Sequence, residues 1–369
     1  MNVFSGLDHE YMARALTLAA RGLYSTDPNP RVGCVLVRNG EMVGEGFHAK
    51  AGDAHAEVQA LSVAGARARG ATAYVTLEPC SHQGRTGPCT DALIAAGIAR
   101  VVYASADPNP HVSGGGAARL QASGISVATG LLAASCEALN VGFFARHRRG
   151  LPWVRVKLAA SLDGRTALAN GQSRWLTGEA ARADVHTWRA RSSAILTGAG
   201  TIKQDDPRLT VRDDSLALLG RQPLRVVLDR ASQVSPAARL FQEPGPILLI
   251  TESQDHTAIK AIEVCGAEVM VLTAGSGLRA VLHELARRDC NEVWVEAGAK
   301  LAGLFLQSAL VDEFIVYLAP HLLGQDAKPL AVLPMLDDLQ HRWQFRYQDV
   351  RAIGADLRLS LVPVQSGES

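Results

Sequence analysis

The residues of this chain best suited to chemistry are His55-Ala-Glu57 and, further on, Glu78-Pro79-Cys80, followed after SHQGRTGP by Cys89. One imidazole and two thiolates form a three-ligand zinc set that leaves the fourth tetrahedral position open for water, which is the pattern of a catalytic site. Zinc lowers the pKa of such a water from about 15.7 towards about 7, so a neighbouring group must then move protons. Glu57 suits that task. It lies two residues from the imidazole, a spacing that does not stack both side chains on one helical face. A helix starting near residue 55 would then offer the imidazole to the metal and the carboxylate to the water. Cys89 would likewise open a helix, whose N-terminus favours thiolate over thiol. His82, two residues from Cys80, is the candidate fourth protein ligand that would close the site and make it structural. Cys34, Cys136, Cys265 and Cys290 read as core residues, and six cysteines in 369 residues are too sparse for a disulfide framework.

The elements that must position these residues are legible in the pattern. Residues 8–23 place Met12, Ala15, Leu16, Ala19 and Leu23 at helical intervals, and VGCVLVRNGEMVGEGFH reads as a hairpin turning at Asn39-Gly40. Helices over about 55–69, 88–97, 114–123 and 131–147 alternate with the strands ATAYVTL, ARVVYAS and ISVAT, which predicts a mixed sheet sandwiched between helices. The charged, Gly- and Pro-containing ARHRRGLPW marks a boundary near residue 150, in keeping with domains of about 100–150 residues. Beyond it WVRVKLAAS, SAILTG, LRVVLD, PILLI, AEVMVL, NEVWVEA and EFIVYLA alternate with helical stretches, ending in a strand pair near 342–363. This is a second α/β domain without a G-x-G-x-x-G fingerprint. Two strands instead exit at Gly198-Ala-Gly200 and Glu296-Ala-Gly298, where backbone N–H groups suit a phosphate. Arg189, Asp205, Asp206, Arg208, Arg212 and Glu296 surround these exits, and arginines bind phosphate oxygens bidentately.

With 37 basic against 36 acidic side chains and a net charge of +1, the composition argues against nucleic-acid or anionic-membrane partners. No apolar run reaches the roughly 18–20 residues of a membrane span, and MNVFSGLDHEYMARAL lacks the basic and apolar regions of a signal peptide, so the expectation is a cytoplasmic protein.

The pairing of His-x-Glu with a later Pro-Cys is the zinc nucleobase-deaminase signature, here with the second cysteine delayed. EPCSHQGRTGPC, with ARALTLAARG, Pro28-Asn29-Pro30-x-Val32-Gly33, GEGFH, AHAE and Asp107-Pro108-Asn109-Pro110, closely resembles the deaminase half of the bifunctional riboflavin-biosynthesis deaminase/reductase family. Lys157-LAA-Ser161-LDG, Ser173-Arg-Trp175-Leu-Thr177, the run from Arg189 to Arg212 and VEAGAKLAG resemble its reductase half, so the likeness spans roughly residues 8–362. It implies a cytidine-deaminase-like α/β/α sandwich with a mixed sheet over 1–148 and a dihydrofolate-reductase-like α/β domain over 149–369, using one zinc ion and NADPH. His55, Cys80 and Cys89 would hold the metal and Glu57 would be the general acid/base. Asn29, His48, Asn109 and Arg85 would position the pyrimidine or its ribose phosphate. In the second domain the resemblance puts Ala159, Trp175, Thr201, Asp205, Gly298, Ala299, Lys300, Leu301, Ala302, Gly303 and Leu304 beside the nicotinamide nucleotide. Ser173, Arg189, Leu209, Arg212 and Glu296 would border the substrate, with Lys157 a polar partner in the reduction. Arg230 stands where relatives carry Ser, within reach of a 2′-phosphate.

The implied reactions are hydrolytic deamination of 2,5-diamino-6-ribosylamino-4(3H)-pyrimidinone 5′-phosphate, then reduction of the ribosyl group to ribityl. The resemblance also suggests a homo-oligomer. Two rivals stand beside this reading: a deaminase whose second domain only binds a nucleotide, and a non-enzymatic zinc protein closed by His82.

Overall fold

Asn39 and Gly40 both take positive φ, 52° and 81°, and so turn the chain tightly between strands β1 (Gly33–Arg38) and β2 (Glu41–Phe47). The computed structural model describes residues 4–82, 87–109 and 113–364. Its contacts divide the chain into two units between Leu151 and Pro152.

In the first unit, helix α1 (Gly6–Ala20) starts at a capping box in which Ser5 and Asp8 exchange hydrogen bonds of 3.1 and 2.8 Å. It ends three residues earlier than the periodicity predicts, giving way to turns, and it buries Met12, Ala15, Leu18 and Ala19. After the hairpin come α2 (Ala56–Ala64), β3 (Thr72–Leu77), α3 (Cys89–Ala95), β4 (Arg100–Ser105), α4 (Gly115–Ala122), β5 (Ser126–Thr129), α5 (Ala133–Leu139) and α6 (Val141–Arg149). The sheet order is β2-β1-β3-β4-β5, antiparallel through the hairpin and the β1–β3 pair and parallel from β3 to β5. Alternation along β1 sends Cys34 and Leu36 to the face covered by α2, α3 and α4, and Val35 and Val37 to the face covered by α1 and α5. The single helix expected over 131–147 is two, broken at Asn140. Its fully buried side chain accepts from the Arg31 N–H at 2.7 Å and donates to the Arg31 carbonyl at 3.0 Å. That long-range grip turns the chain where local propensity would have continued it.

The second unit contains β6 (Trp153–Ser161), β7 (Arg165–Ala167), α7 (Glu179–Arg191), β8 (Ala194–Gly198), α8 (Ala199–Asp205), β9 (Leu224–Leu228), β10 (Ile247–Thr251), α9 (His256–Val264), β11 (Glu268–Val271), α10 (Gly277–Arg287), β12 (Glu292–Glu296), α11 (Ala299–Gln307), β13 (Glu313–Ala319), β14 (Lys328–Pro329), β15 (Phe345–Ile353) and β16 (Asp356–Pro363). Nine strands pair in the order β11-β10-β9-β8-β12-β6-β13-β16-β15; the first seven run parallel and β16 and β15 are antiparallel. Buried runs such as ILLIT in β10 suit strands covered on both faces. The indoles of Trp188 and Trp294 stack with parallel planes at 5.6 Å. Beside them Arg155 is buried between Glu292 and Glu313, and Arg191 also bonds Glu292. All six cysteines are free; Cys34, Cys136 and Cys290 are buried and Cys265 is half-buried. No helix among the described residues is long and apolar enough to cross a membrane.

Candidate active sites

In the first unit the three expected metal-binding side chains converge from separate elements. His55 is the N-cap of α2, Cys80 follows the exit of β3 and Cys89 is the first residue of α3. Their ligand atoms lie within 4.8 Å of one another, and no other His, Cys, Asp or Glu among the described residues joins that group. The His55 Nδ1 is 3.2 Å from the Cys89 sulfur and 3.6 Å from that of Cys80. Zn–N bonds of about 2.0–2.1 Å and Zn–S bonds of about 2.3 Å at tetrahedral angles set N···S separations near 3.5 Å, so the trio fits a zinc ion. His82 is exposed and lies outside the group.

The two thiols of the cluster hold their protons unequally. The Cys80 thiol is drawn down to about 4, chiefly by its hydrogen bond with Cys89 and then by His55, while Cys89 is pushed up as the proton donor of that pair. The Cys89 backbone N–H also points at the Cys80 sulfur, at 3.4 Å. Glu57, in the first turn of α2, is 3% exposed. Burial, and then the nearby Cys80, raise its carboxyl to about 7.

Two of the expected substrate residues meet beside the metal ligands. The Asn29 amide nitrogen lies 3.0 Å from His48 Nε2, and His48 Nδ1 lies 3.2 Å from the Ala54 carbonyl. Burial lowers the His48 pKa, so the neutral ring donates from Nδ1 and accepts at Nε2. Its ring packs edge-on against His55 at 5.2 Å. Asn109 lies beyond β4, its N–H donating to Asp107 at 2.8 Å. Arg85 falls outside the described residues.

In the second unit Arg189, Lys157 and Glu296 meet at the end of β12, and the ends of parallel strands are where open α/β sheets take ligands. Lys157 on β6 is in register with Glu296, the last residue of β12. Arg189, from α7, grips Glu296 with Nε to Oε1 at 2.5 Å and Nη2 to Oε2 at 2.8 Å, and its Nη1 donates to the Thr210 carbonyl at 3.0 Å. Trp294 Nε1 adds a bond to Glu296 at 2.9 Å. Burial would push the Glu296 carboxyl up; the Arg189 guanidinium, and then Lys157, outweigh it and hold the group at about 2. Burial lowers the Lys157 pKa. The Arg212 guanidinium is exposed and bonds Thr210 Oγ1 at 3.1 Å, while its backbone N–H donates to His186 Nδ1 at 3.3 Å.

The other candidates are scattered around these strand ends. Ala159 lies on β6, Thr201 and Asp205 on α8, and Gly298 caps α11, which carries Ala299, Lys300, Leu301, Ala302, Gly303 and Leu304. The space beside Gly200 and Gly298 is open, so both turns present bare backbone. Ala302 and Gly303 face inward, and a Cβ on Gly303 would meet the Val332 carbonyl oxygen at 2.0 Å. Leu209 is 1% exposed and packs in the core. Trp175 is 72% exposed, with the Arg182 guanidinium 4.5 Å over its ring, and Ser173 is half-buried nearby in sequence. Arg230, past β9, is exposed and 3.4 Å from Glu252. Sequence reasoning had no means of finding the pairing of Arg189 with Glu296, since both residues were read as separate contacts to a substrate.

Residues 6–105 match the family described as the cytidine and deoxycytidylate deaminase zinc-binding region, and residues 152–359 match the RibD C-terminal domain. The riboflavin biosynthesis protein RibD of Escherichia coli K12 is 49% identical over 367 residues, spanning 96% of this chain and 99% of its own. That of Haemophilus influenzae is 46% identical over 370 residues, spanning 98% of each. Among solved structures, Acinetobacter baumannii RibD superposes with a TM-score of 0.91 at 42% identity, covering 97% of this chain and 99% of its own. A Thermotoga maritima protein described as a diaminohydroxyphosphoribosylaminopyrimidine deaminase/5-amino-6-(5-phosphoribosylamino)uracil reductase does so at 0.86 and 34% identity, with 97% and 99% covered. With both units matched and both chains covered almost end to end, this chain belongs to the RibD family of riboflavin biosynthesis, a deaminase and a reductase in one polypeptide.

Proposed function

We propose that the first unit deaminates 2,5-diamino-6-ribosylamino-4(3H)-pyrimidinone 5′-phosphate and that the second reduces the ribosyl group of the product to ribityl. The observation that carries this reading is the buried Glu57 beside the His55, Cys80 and Cys89 trio. These three side chains would hold zinc, which when bound supplies Lewis acidity and an acidified water near neutral pH. Glu57 takes the water's proton and delivers it to the departing amine; a carboxyl raised to about 7 exchanges protons readily in both directions at that pH. The Asn29–His48 pair, held by its own hydrogen bonds, and Asn109 position the ring or its ribose phosphate, joined by Arg85 on the strength of the resemblance.

In the second unit NADPH, when bound, supplies the hydride that opens the sugar at C1′. The open backbone at Gly200 and Gly298 suits its phosphates. Ala159, Trp175, Thr201, Asp205 and the start of α11 border it, and Arg230 reaches a 2′-phosphate. Ser173, Leu209, Arg212 and the Arg189–Glu296 pair border the substrate. Lys157, whose proton is loosened by burial, faces the reacting sugar as a polar partner. The chain acts in the cytoplasm as a homo-oligomer, without nucleic-acid or membrane partners.

The test is to supply the diaminopyrimidine with and without NADPH while following ammonia and the reduced product separately. Ammonia in both cases and reduction only with NADPH is the expected result. Glu57→Gln should retain zinc and lose ammonia release by about 10²–10⁴-fold. Unchanged ammonia release in that variant would overturn the role of Glu57, and no ammonia release from the native zinc-loaded chain would favour the closed zinc site.

A further inference from the structure

Glu78 has no part in the proton transfer or the metal set described above, yet it is 3% exposed and carries three backbone contacts. Its Oε2 accepts from the Gly114 N–H at 3.0 Å and, more weakly, from the Asp107 N–H at 3.5 Å; its Oε1 accepts from the Ala117 N–H at 3.1 Å. With both oxygens engaged by main-chain donors, the group is a clamp. Its own N–H donates to the Ser105 carbonyl at 3.0 Å, tying the exits of β3 and β4 together.

The residues that follow press on the same stretch. A Cβ on Gly116 would lie 2.0 Å from the Pro79 carbonyl oxygen, and one on Gly115 would lie 2.8 Å from Ser81 Oγ. Gly114 itself takes a φ of 77°. The Gly114-Gly115-Gly116 triplet is therefore the surface on which the Glu78–Ser81 segment seats, and that segment bears Cys80. On the other side of the clamp, Asp107 holds the Asn109 N–H at 2.8 Å.

The geometry points to Glu78 as a positioning residue for the pyrimidine substrate, its carboxylate joining the backbone of Gly114 and Ala117 to that of Asp107, whose side chain holds Asn109, beside the segment that bears Cys80. The inference rests on the substrate role proposed above for Asn109. Loosening the clamp misplaces a binding contact while leaving the proton-transfer group on α2 untouched, so the loss falls on binding.

The test compares Glu78→Gln, Glu78→Asp and Asn109→Ala in the full-length zinc-loaded chain. Glu78→Gln puts an amide NH₂ against a backbone donor. It is expected to raise KM for the diaminopyrimidine about tenfold with kcat within about threefold, zinc at one per chain and NADPH-dependent reduction of the deaminated intermediate unchanged. Glu78→Asp, which keeps the charge on a shorter arm, should fall between the two, and it carries the test if the glutamine variant does not fold. Zinc loss, a fall in kcat with KM unmoved, or both constants unmoved would overturn the inference. If Asn109→Ala leaves KM alone, the role of Asn109 fails and this inference with it. If Asn109→Ala raises KM and the Glu78 variants do not, this inference alone fails.

Discussion

Arg189 and Glu296 lie 107 positions apart in the chain and meet as a two-pronged ion pair at 2.5 and 2.8 Å, with side chains only 11% and 15% exposed. The pair joins helix α7 to the end of strand β12, and Thr210 and Trp294 complete its hydrogen bonds. Within the second unit this pair is a structural joint. Glu296→Gln strands the buried Arg189 charge, which costs about 3–5 kcal/mol, and Arg189→Lys keeps the charge but loses the planar fork that spans both carboxylate oxygens and the Thr210 carbonyl. Glu296→Gln and Arg189→Lys should each lower the melting temperature of the second unit and reduce NADPH-dependent turnover by tenfold or more, with ammonia release from the diaminopyrimidine preserved. Turnover held at the native level in both variants would refute this.

Removal of zinc should separate the two activities. Each of the three candidate ligands belongs to the first unit, so a chelator is expected to abolish ammonia release while leaving reduction of the pre-deaminated intermediate intact. Added zinc should restore the lost step. Parallel assays of ammonia and NADPH oxidation, with metal content measured on the same sample, check the outcome.

His186 gives the second unit an acid-sensitive element. Burial, and then the charges of Arg189 and Arg212, lower its pKa from 6.5 to about 4, so the folded ring stays neutral where an unfolded histidine takes up a proton. Its contribution to stability is complete above pH 6.5 and is lost as the pH falls from there towards 4. Protonation would also set a cationic Nδ1 against the Arg212 N–H that it now accepts. His186→Asn, which keeps an acceptor but does not titrate, should flatten the acid limb of the second unit's melting profile between those limits. An unaltered slope would show that other groups govern it.

Asn140 should matter far more than its position between two helices suggests. Replacing it with Ala leaves the buried N–H and carbonyl of Arg31 without their side-chain partner, at about 1–3 kcal/mol for each unsatisfied group. The expected effect is a several-degree drop in the melting point of the first unit, with the second unit's transition unmoved.

The contrast between these residues explains what was legible in the sequence. The convergence of His55, Cys80 and Cys89 was readable because a three-ligand zinc set calls for those residue types in a family-specific pattern. The hairpin at Asn39-Gly40 was readable because its positive φ values select those residues. Asn140 was not, since an asparagine inside a helical pattern is only mildly unfavourable and its partner is 109 residues away. The ion pair of Arg189 with Glu296 was not legible for the same reason. As a lone arginine it looked available to a phosphate, and only the fold brings it to Glu296. Glu78 was hidden in plain view, next to the Pro-Cys it precedes.

The stacked indoles of Trp188 and Trp294 have an optical consequence. All five tryptophans of the chain, at 153, 175, 188, 294 and 343, lie beyond Leu151, so light absorbed by indole alone interrogates the second unit and is blind to the first. Because Trp294 also bonds Glu296, emission and near-ultraviolet dichroism from the stacked pair report on the surroundings of that carboxylate, and no label need be attached.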